Sequence, residues 1–226
     1  MEVLESKQLK NYTSMHIGGP AAYVVAVHSE QDILEAAAFA RSKDMPITTL
    51  GDGTNVVFSD AGFKGVIVLN KLVGFTISDD GLAQIAAGEN WDAVVEKSVT
   101  QGFYGIEALS LIPGTAGATP VNNVGAYGQE ISDTLVSVRV FDTKSGDFID
   151  IPASDCGLAY RTSRFKNEDH GRFIITQITL QLKPIDASYV APSYPSLASE
   201  LAKCNTDQPT PSQVRTAVIA VRSLKL

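Results

Sequence analysis

With 226 residues, 44% hydrophobic and 19% charged, the chain can build one large domain or two small ones with real cores and lacks the make-up of a disordered protein. A net charge of −7 leaves no basic face for nucleic acid, while an anionic small ligand can still be held by backbone N–H groups and a few cations. Cys156 and Cys204 are too few for a disulfide scaffold and His16, His28 and His170 too scattered for a metal site; with no membrane-length apolar run and no signal-peptide pattern in "MEVLESKQLKN", a reducing cytoplasm is expected.

The β-rich run "AAYVVAV" predicts a strand, and Ser29 with Asp32 three residues on predicts a capped, Ala-rich helix over "SEQDILEAAAFARSKD". "MPITTL" reads as the next strand and runs into "LGDGTNVVFSD", where Gly51, Asp52, Gly53, Thr54 and Asn55 are adjacent. A hairpin turn usually needs only about two such residues. The longer run leaves several backbone N–H groups without a strand partner. "GVIVLN" closes a β-α-β-loop-β unit whose polar loop sits at a strand's C-terminal end, where α/β folds tend to bind ligands.

From Lys71 the pattern changes. "VGFTIS" and "AQIAAGE" predict a hairpin around "DDG", and "NWDAVVEKSVTQG" a helix capped by Asn90 and stopped at Gly102, with Trp91 in the core. After the strand-poor stretch "LSLIPGTAGATPVNNVGAYGQEIS", strands resume with "TLVSVRVFD", "DFIDI" and "RFIITQITLQLK". The last alternates from Thr176, so that Ile178, Leu180 and Leu182 share a face. Beyond Pro184, "DASYVAPSYPSLASEL" reads as a Pro/Ser-rich crossing segment. "TPSQVRTAVIAVRSLKL" reads as a helix with Thr210 as cap, Pro211 in the first turn and Gln213 completing a capping box.

The central stretch interleaves Gly114, Gly117, Gly125 and Gly128 with Pro113, Pro120, Asn122 and Asn123. A loop this long is either a self-packed Ω-loop or a functional loop, and its small residues would let backbone approach a diphosphate. Two such loops, one after each unit, favour function. "YTSMHIGGPAAYVV", "LGDGTNVVFSD", "LIPGTAGATPVNNVGAYG" and "GLAYRTSRFK" follow one another in the chain. From about Tyr12 onward, the sequence carrying them resembles the UDP-N-acetylenolpyruvoylglucosamine reductase family, flavoenzymes of bacterial cell-wall synthesis.

The resemblance implies an α+β fold: a two-lobed FAD-binding domain of the PCMH and vanillyl-alcohol-oxidase type. Its lobes would span 1–70 and 71–185, with 186–226 holding a crossing segment and the first helix of a substrate-binding domain. It implies that Gly51, Gly53, Thr54 and Asn55 hold FAD from one loop. From the other it implies Pro113, Gly114, Thr115, Gly117, Ala118, Thr119, Asn122 and Gly125, and, elsewhere, Ile175. Relatives that tether FAD use a His or Cys; the first loop has neither, so non-covalent FAD is expected. Ala118 stands where many relatives carry a hydroxyl or glycine, which would remove one contact.

Arg161 matches the family's catalytic arginine, suited to stabilising enolate-like charge because a guanidinium offers planar, fixed donors and keeps its proton. Read on its own, it would more commonly be a surface ion pair, with Tyr160 in the core. Arg164 and Lys166 are expected as solvated charges. Tyr160, Tyr194 and Lys225 are implied as substrate-binding, and NADPH as hydride donor to a UDP-sugar enolpyruvyl ether. The family's serine proton donor and late glutamate are not in these 226 residues, so this chain alone is expected to bind FAD without turnover. A non-catalytic FAD-binding module is the alternative, and another flavin oxidase on the same fold a weaker one.

Overall fold

In the computed structural model, which describes residues 1–204, 206 and 208–224, the apolar runs build two principal sheets. The first contains β1 (Val3–Gln8), β2 (Pro20–Val27), β3 (Ile47–Leu50) and β4 (Phe63–Asn70), in the order β1-β2-β4-β3. β4 runs parallel to both neighbours, and its "GVIVLN" is buried almost without a break, as a strand covered on both faces must be. β1 pairs antiparallel at the edge. Its sequence, VLESKQ, is mostly exposed and polar, so hydrophobic patterning does not reveal it.

Helix α1 (Glu30–Ser42) links β2 to β3 and buries Ile33, Ala36, Ala37 and Ala40 at helical spacing. Ser29 Oγ accepts the Asp32 N–H at 3.1 Å, as expected of the cap. The Asp32 carboxylate, however, reaches one residue further back, to the His28 N–H at 2.9 Å.

Downstream come β5 (Phe75–Ile77), β6 (Leu82–Ala86), α2 (Trp91–Thr100), and the short strands β7 (Phe103–Tyr104), β8 (Gly125–Ala126) and β9 (Gln129–Glu130). Then follow β10 (Leu135–Asp142), β11 (Phe148–Pro152), β12 (Phe173–Gln181) and β13 (Lys183–Pro184). The second sheet is antiparallel throughout, in the order β11-β10-β12-β6-β5. Asn90 caps α2, accepting the Ala93 N–H at 3.0 Å, and Trp91 is buried with its indole N–H on the Leu109 carbonyl at 3.1 Å.

Ile178, Leu180 and Leu182 share the core of this second lobe, as their alternation predicts. The alternation breaks at Thr176. Arg139 faces Gln177 while its neighbour Val140 faces Ile175, so β12 carries one extra residue, a β-bulge. Ile175 therefore joins Ile178 in the second core, and Ile174 turns the other way.

Ile174 and Phe141 from the second sheet pack among Val25, Val27, Val66 and Val68 of the first and Ile33 and Ala36 of α1, forming the seam between the lobes. Asn70, buried at the end of β4, donates to the Ile175 carbonyl at 2.8 Å and accepts the Leu72 N–H at 3.3 Å. Helix α3 (Pro195–Leu201) lies within the stretch expected to be an irregular crossing segment; Pro195 occupies its first turn, where a missing N–H costs little. With α4 (Pro211–Ser223) it packs Leu197, Leu201, Val214, Ala217 and Val218 onto Ala108. The Thr210–Gln213 capping box is formed. Among the described residues no helix is long and apolar enough to cross a membrane.

Phe141 comes from one sheet and is buried in the core of the other. Phe141→Ala is expected to lower stability by ~3–5 kcal/mol, read from urea unfolding as a shift of one transition shared by both lobes. Two separate transitions in the unaltered chain, or a loss below ~1 kcal/mol, would show that the seam does not couple them.

Candidate functional site

A cleft of about 870 Å³ is lined by residues of both lobes and lies at the upper end of the range in which proteins hold small molecules. Gly51, Gly53, Thr54 and Asn55 line it from the loop after β3, and Pro113, Gly114, Thr115, Gly117, Ala118 and Asn122 from the loop after α2. Ile175, brought round by the bulge, and Arg161 complete the set of expected residues found there. Thr119 and Gly125 are not in the lining. The Thr119 hydroxyl is buried and donates to the Ala116 carbonyl at 2.7 Å. Gly125 sits in β8, where a side chain would meet Glu130 Cγ at 2.9 Å. Tyr160 and Tyr194 also lie outside the lining, 80% and 45% exposed, so Tyr160 is not a core residue. Lys225 lies outside the described residues.

The two loops meet. Thr54 Oγ1 donates to the Pro113 carbonyl at 3.3 Å. Gly53 has φ +64, and a Cβ there would stand 2.0 Å from the Tyr12 carbonyl oxygen; at Gly117 it would stand 2.5 Å from Ala87 Cβ. Neither position admits a larger residue without moving backbone. Among the described residues, the N–H groups of Asp52, Gly53, Thr54 and Asn55 on one loop, and of Gly114 and Thr115 on the other, have no protein acceptor. Gly53, Gly114 and Thr115 are buried. Unpaired N–H groups on residues with so little access to water favour an acceptor from outside the chain. Thr49 Oγ1, also in a lining residue, is buried without a partner. Unpartnered N–H groups on small residues that line one cleft suit an anion such as a diphosphate.

Arg161 reaches the cleft from a tight hairpin. Ala159 and Thr162 exchange backbone hydrogen bonds of 3.2 and 3.1 Å, leaving Tyr160 and Arg161 at the tip, with Arg161 at φ +55. Its guanidinium donates to the Gly125 carbonyl at 2.9 Å, so Gly125 holds the arginine although it does not line the cleft. Behind it, Asn123 Nδ2 donates to the Ala159 carbonyl at 3.2 Å and Ser163 Oγ to the Val121 carbonyl at 2.7 Å. Leu111, Asn123, Tyr127 and Arg161 all take left-handed backbone, which non-glycine residues rarely adopt unless the surroundings enforce it.

One expectation about charges needs correction. Arg164 is not a solvated charge: it pairs with Asp169 at 2.7 Å, Asp169 with Arg172 at 3.1 Å, and Arg172 with Asp142 at 2.6 Å. Hydrogen bonds from Arg172 hold the Asp142 carboxyl below the usual carboxylate range. Lys166 is exposed, as expected of a solvated charge, and lines the cleft with Nζ 3.0 Å from the Arg161 carbonyl oxygen. Thr49 and Asn70 are cleft residues that patterning missed; for Asn70 the available signal was a polar side chain closing the apolar run "GVIVL" at the C-terminal end of β4.

The FAD binding domain family matches residues 21–151. Curated relatives named UDP-N-acetylenolpyruvoylglucosamine reductase include that of Ralstonia nicotianae, 36% identical over 96% of this chain and 65% of its own length. That of Thermobifida fusca is 37% identical, over 96% and 61%. That of Pseudomonas fluorescens is 34% identical, over 100% and 67%. The chain thus spans somewhat under two thirds of the first two relatives. A solved UDP-N-acetylenolpyruvylglucosamine reductase from Thermus caldophilus shares the fold with a TM-score of 0.67 at 23% identity, covering 99% of this chain and 68% of its own. A cholesterol oxidase from Brevibacterium sterolicum shares it at a TM-score of 0.59 and 15% identity, over 81% and 38%. With a PCMH-type α+β fold, a cleft rich in unclaimed N–H groups and relatives of this closeness, the chain belongs to the UDP-N-acetylenolpyruvoylglucosamine reductase family of FAD-binding proteins.

Proposed function

We propose that the cleft holds FAD without a covalent bond, between a first lobe over 1–70 and a second over 71–185, and that residues 186–226 begin a substrate-binding unit. The observation that carries this reading is the pair of facing loops with unpartnered N–H groups, in a chain that the FAD binding domain family matches. The donors of Asp52–Asn55 and Gly114–Thr115 would take the pyrophosphate, with Ile175 against the cofactor's apolar surface. The first loop supplies no His or Cys for a tether. We place the protein in a reducing cytoplasm: Cys156 and Cys204 are both free, and burial pushes the Cys156 thiol up to about 11, so it stays protonated at neutral pH.

We further propose that the whole protein reduces UDP-N-acetylglucosamine enolpyruvate to UDP-N-acetylmuramate with NADPH. Bound FAD supplies the hydride chemistry. Arg161 faces the negative charge that develops beside the substrate carboxylate; its guanidinium cannot lose a proton, and the Gly125 carbonyl and the hairpin fix its direction before substrate arrives. Tyr160, with its ring centroid 5.8 Å from the Arg161 guanidinium carbon, and Tyr194, edge-on to Tyr127 at 5.5 Å, supply contacts at the rim. Lys225 is proposed to reach the UDP diphosphate. The second reading, a flavin-holding module without turnover, uses the same cleft and leaves Arg161 idle.

Denaturing the purified protein should release a yellow cofactor that passes a small-pore filter. Flavin retained on the denatured chain would refute non-covalent binding, and a colourless protein that takes up no added FAD would sink the cofactor reading.

Asn55→Leu is expected to weaken FAD binding about tenfold, the loss of one or two hydrogen bonds, with stability changed by less than ~0.5 kcal/mol because the side chain is exposed. Gly114→Ala should weaken binding as well, since its φ of +123 tolerates no Cβ and the new atom would stand 3.2 Å from Thr54 Oγ1. Unchanged titrations of both apo-variants would make these loops plain turns.

The enolpyruvyl substrate should perturb the visible spectrum of the FAD-loaded protein, and Arg161→Met should remove that perturbation while leaving FAD bound. Where NADPH oxidation depends on substrate, the same change should slow it by ~10²–10³-fold, as for loss of a group stabilising developing charge. A spectrum indifferent to substrate favours the module reading.

A further inference from the structure

The loop that lines the cleft from the second lobe hangs on one end of α2. The Trp91 N–H donates to the Gly114 carbonyl at 3.0 Å, and the Ala116 N–H to the Glu89 carbonyl at 2.9 Å. Asn90 and Thr115 pair as an isolated bridge. The loop's entrance is fixed by a side chain: the N–H of Leu111, held at φ +55, donates to Asp92 Oδ1 at 2.6 Å. A leucine stays in that conformation only where something holds it.

Asp92 is itself held. Arg215, on α4 and 9% exposed, places Nη1 2.6 Å from Asp92 Oδ1 and Nη2 3.0 Å from Oδ2, with Glu96 a further 3.8 Å contact. Arg215 is not in the cleft lining. An aspartate in a helix's first turn is ordinarily free to face solvent, since the helix N-terminus favours its charge in many rotamers. The two-pronged guanidinium removes that freedom and aims the remaining lone pairs of Oδ1 at Leu111. Burial alone would raise the Asp92 pKa, but the bonds from Arg215 and Leu111 hold it below the usual carboxylate range, so the acceptor is charged at neutral pH.

We propose that Arg215 is a positioning residue of the cofactor loop: α4 sets the loop through Asp92, so that docking of this C-terminal helix and occupation of the cleft favour each other. The inference rests on the FAD reading above. Removing the fork frees Asp92, leaves the Leu111 N–H without an acceptor, and lets the loop leave the geometry in which the Gly114 and Thr115 N–H groups face the cleft. Binding free energies are reciprocal, so FAD must tighten α4 by as much as α4 tightens FAD.

The test is FAD titration of the apo-protein well below its melting temperature, comparing the unaltered chain with Arg215→Met, Arg215→Lys and Asp92→Ala. Each variant is expected to weaken FAD about tenfold and to change the visible circular dichroism of the bound flavin. The double variant Arg215→Met/Asp92→Ala should be no worse than either single change, because both break one relay. A purely structural role would lower the melting temperature and leave affinity and flavin dichroism where they were, which would overturn the inference. Full affinity in Arg215→Lys would do the same, by showing that charge without the fork suffices. Should the variants fail to fold, hydrogen exchange of the unaltered chain decides: saturating FAD must slow the amides of α4, and unchanged exchange there overturns the coupling. An unaltered chain that binds no FAD overturns the cofactor reading and this inference together, whereas binding that the variants leave untouched overturns the inference alone.

Discussion

One extra residue in β12 lets a single strand serve two cores. From Ile178 onward the strand feeds the second lobe alone; ahead of the bulge at Thr176, Ile175 stays with that lobe while Ile174 enters the seam with Phe141. Carbonyls at the bulge also make connections to either side. That of Ile175 takes the Asn70 side chain of the first lobe at 2.8 Å, and that of Thr176 takes the Ala87 N–H at 2.9 Å. Ala87 is the residue against which Gly117 packs. The spacing of the lobes and the seating of the second loop therefore share one origin, and the cleft between them inherits its width from it. Without the bulge, strict alternation would put Ile174 on the face of Ile178 and leave the seam open.

The cleft presents an electrostatic contrast. The chain carries a net charge of −7, yet the loops fit an anion. The distant carboxylates are screened by salt over roughly 8–10 Å, whereas an N–H group acts at hydrogen-bonding distance and pays no reorganisation when it is already fixed. Asp52, the carboxylate among the first loop's donors, has Lys71 at 3.9 Å to offset it. Local donors thus outweigh the global sign. Strained residues around the second loop and the arginine hairpin show that the fold spends stability on this geometry rather than on regular structure.

Much of this was legible in the residues. The first loop stood out because five turn-forming residues exceed what a turn uses, and α4 because Thr210, Pro211 and Gln213 each satisfy a different orphan requirement of a helix start. What stayed hidden depends on partners distant in sequence. β1 is polar because it is an edge. Arg164 looked like a surface charge because Asp169, Arg172 and Asp142 reach it only through folding. Gly125 was read as a glycine opening space for a ligand; its carbonyl instead holds Arg161, a role no glycine spacing encodes. Bulges leave no signature beyond a missed beat in the alternation; here that beat is the apolar run Phe173–Ile175 followed by two polar residues, Thr176 and Gln177.

The strand order of the second sheet bears on how the chain comes off the ribosome. The first sheet is complete once Asn70 has been made, with its parallel strands joined through α1. In the second, β12 lies between β10 and β6, and its pairing of Gln177 with Ala86 spans most of the second lobe's sequence. β5 and β6 can only pair with each other as an isolated hairpin, too small to persist in water, until Phe173–Gln181 emerges. The seam face of the first sheet is covered by α1 but lacks Phe141 and Ile174, and so stays partly open for the same interval. Synthesis at ~5–20 residues per second makes that interval several seconds long, during which a half-made chain offers an apolar face to the chaperones that meet it at the exit tunnel.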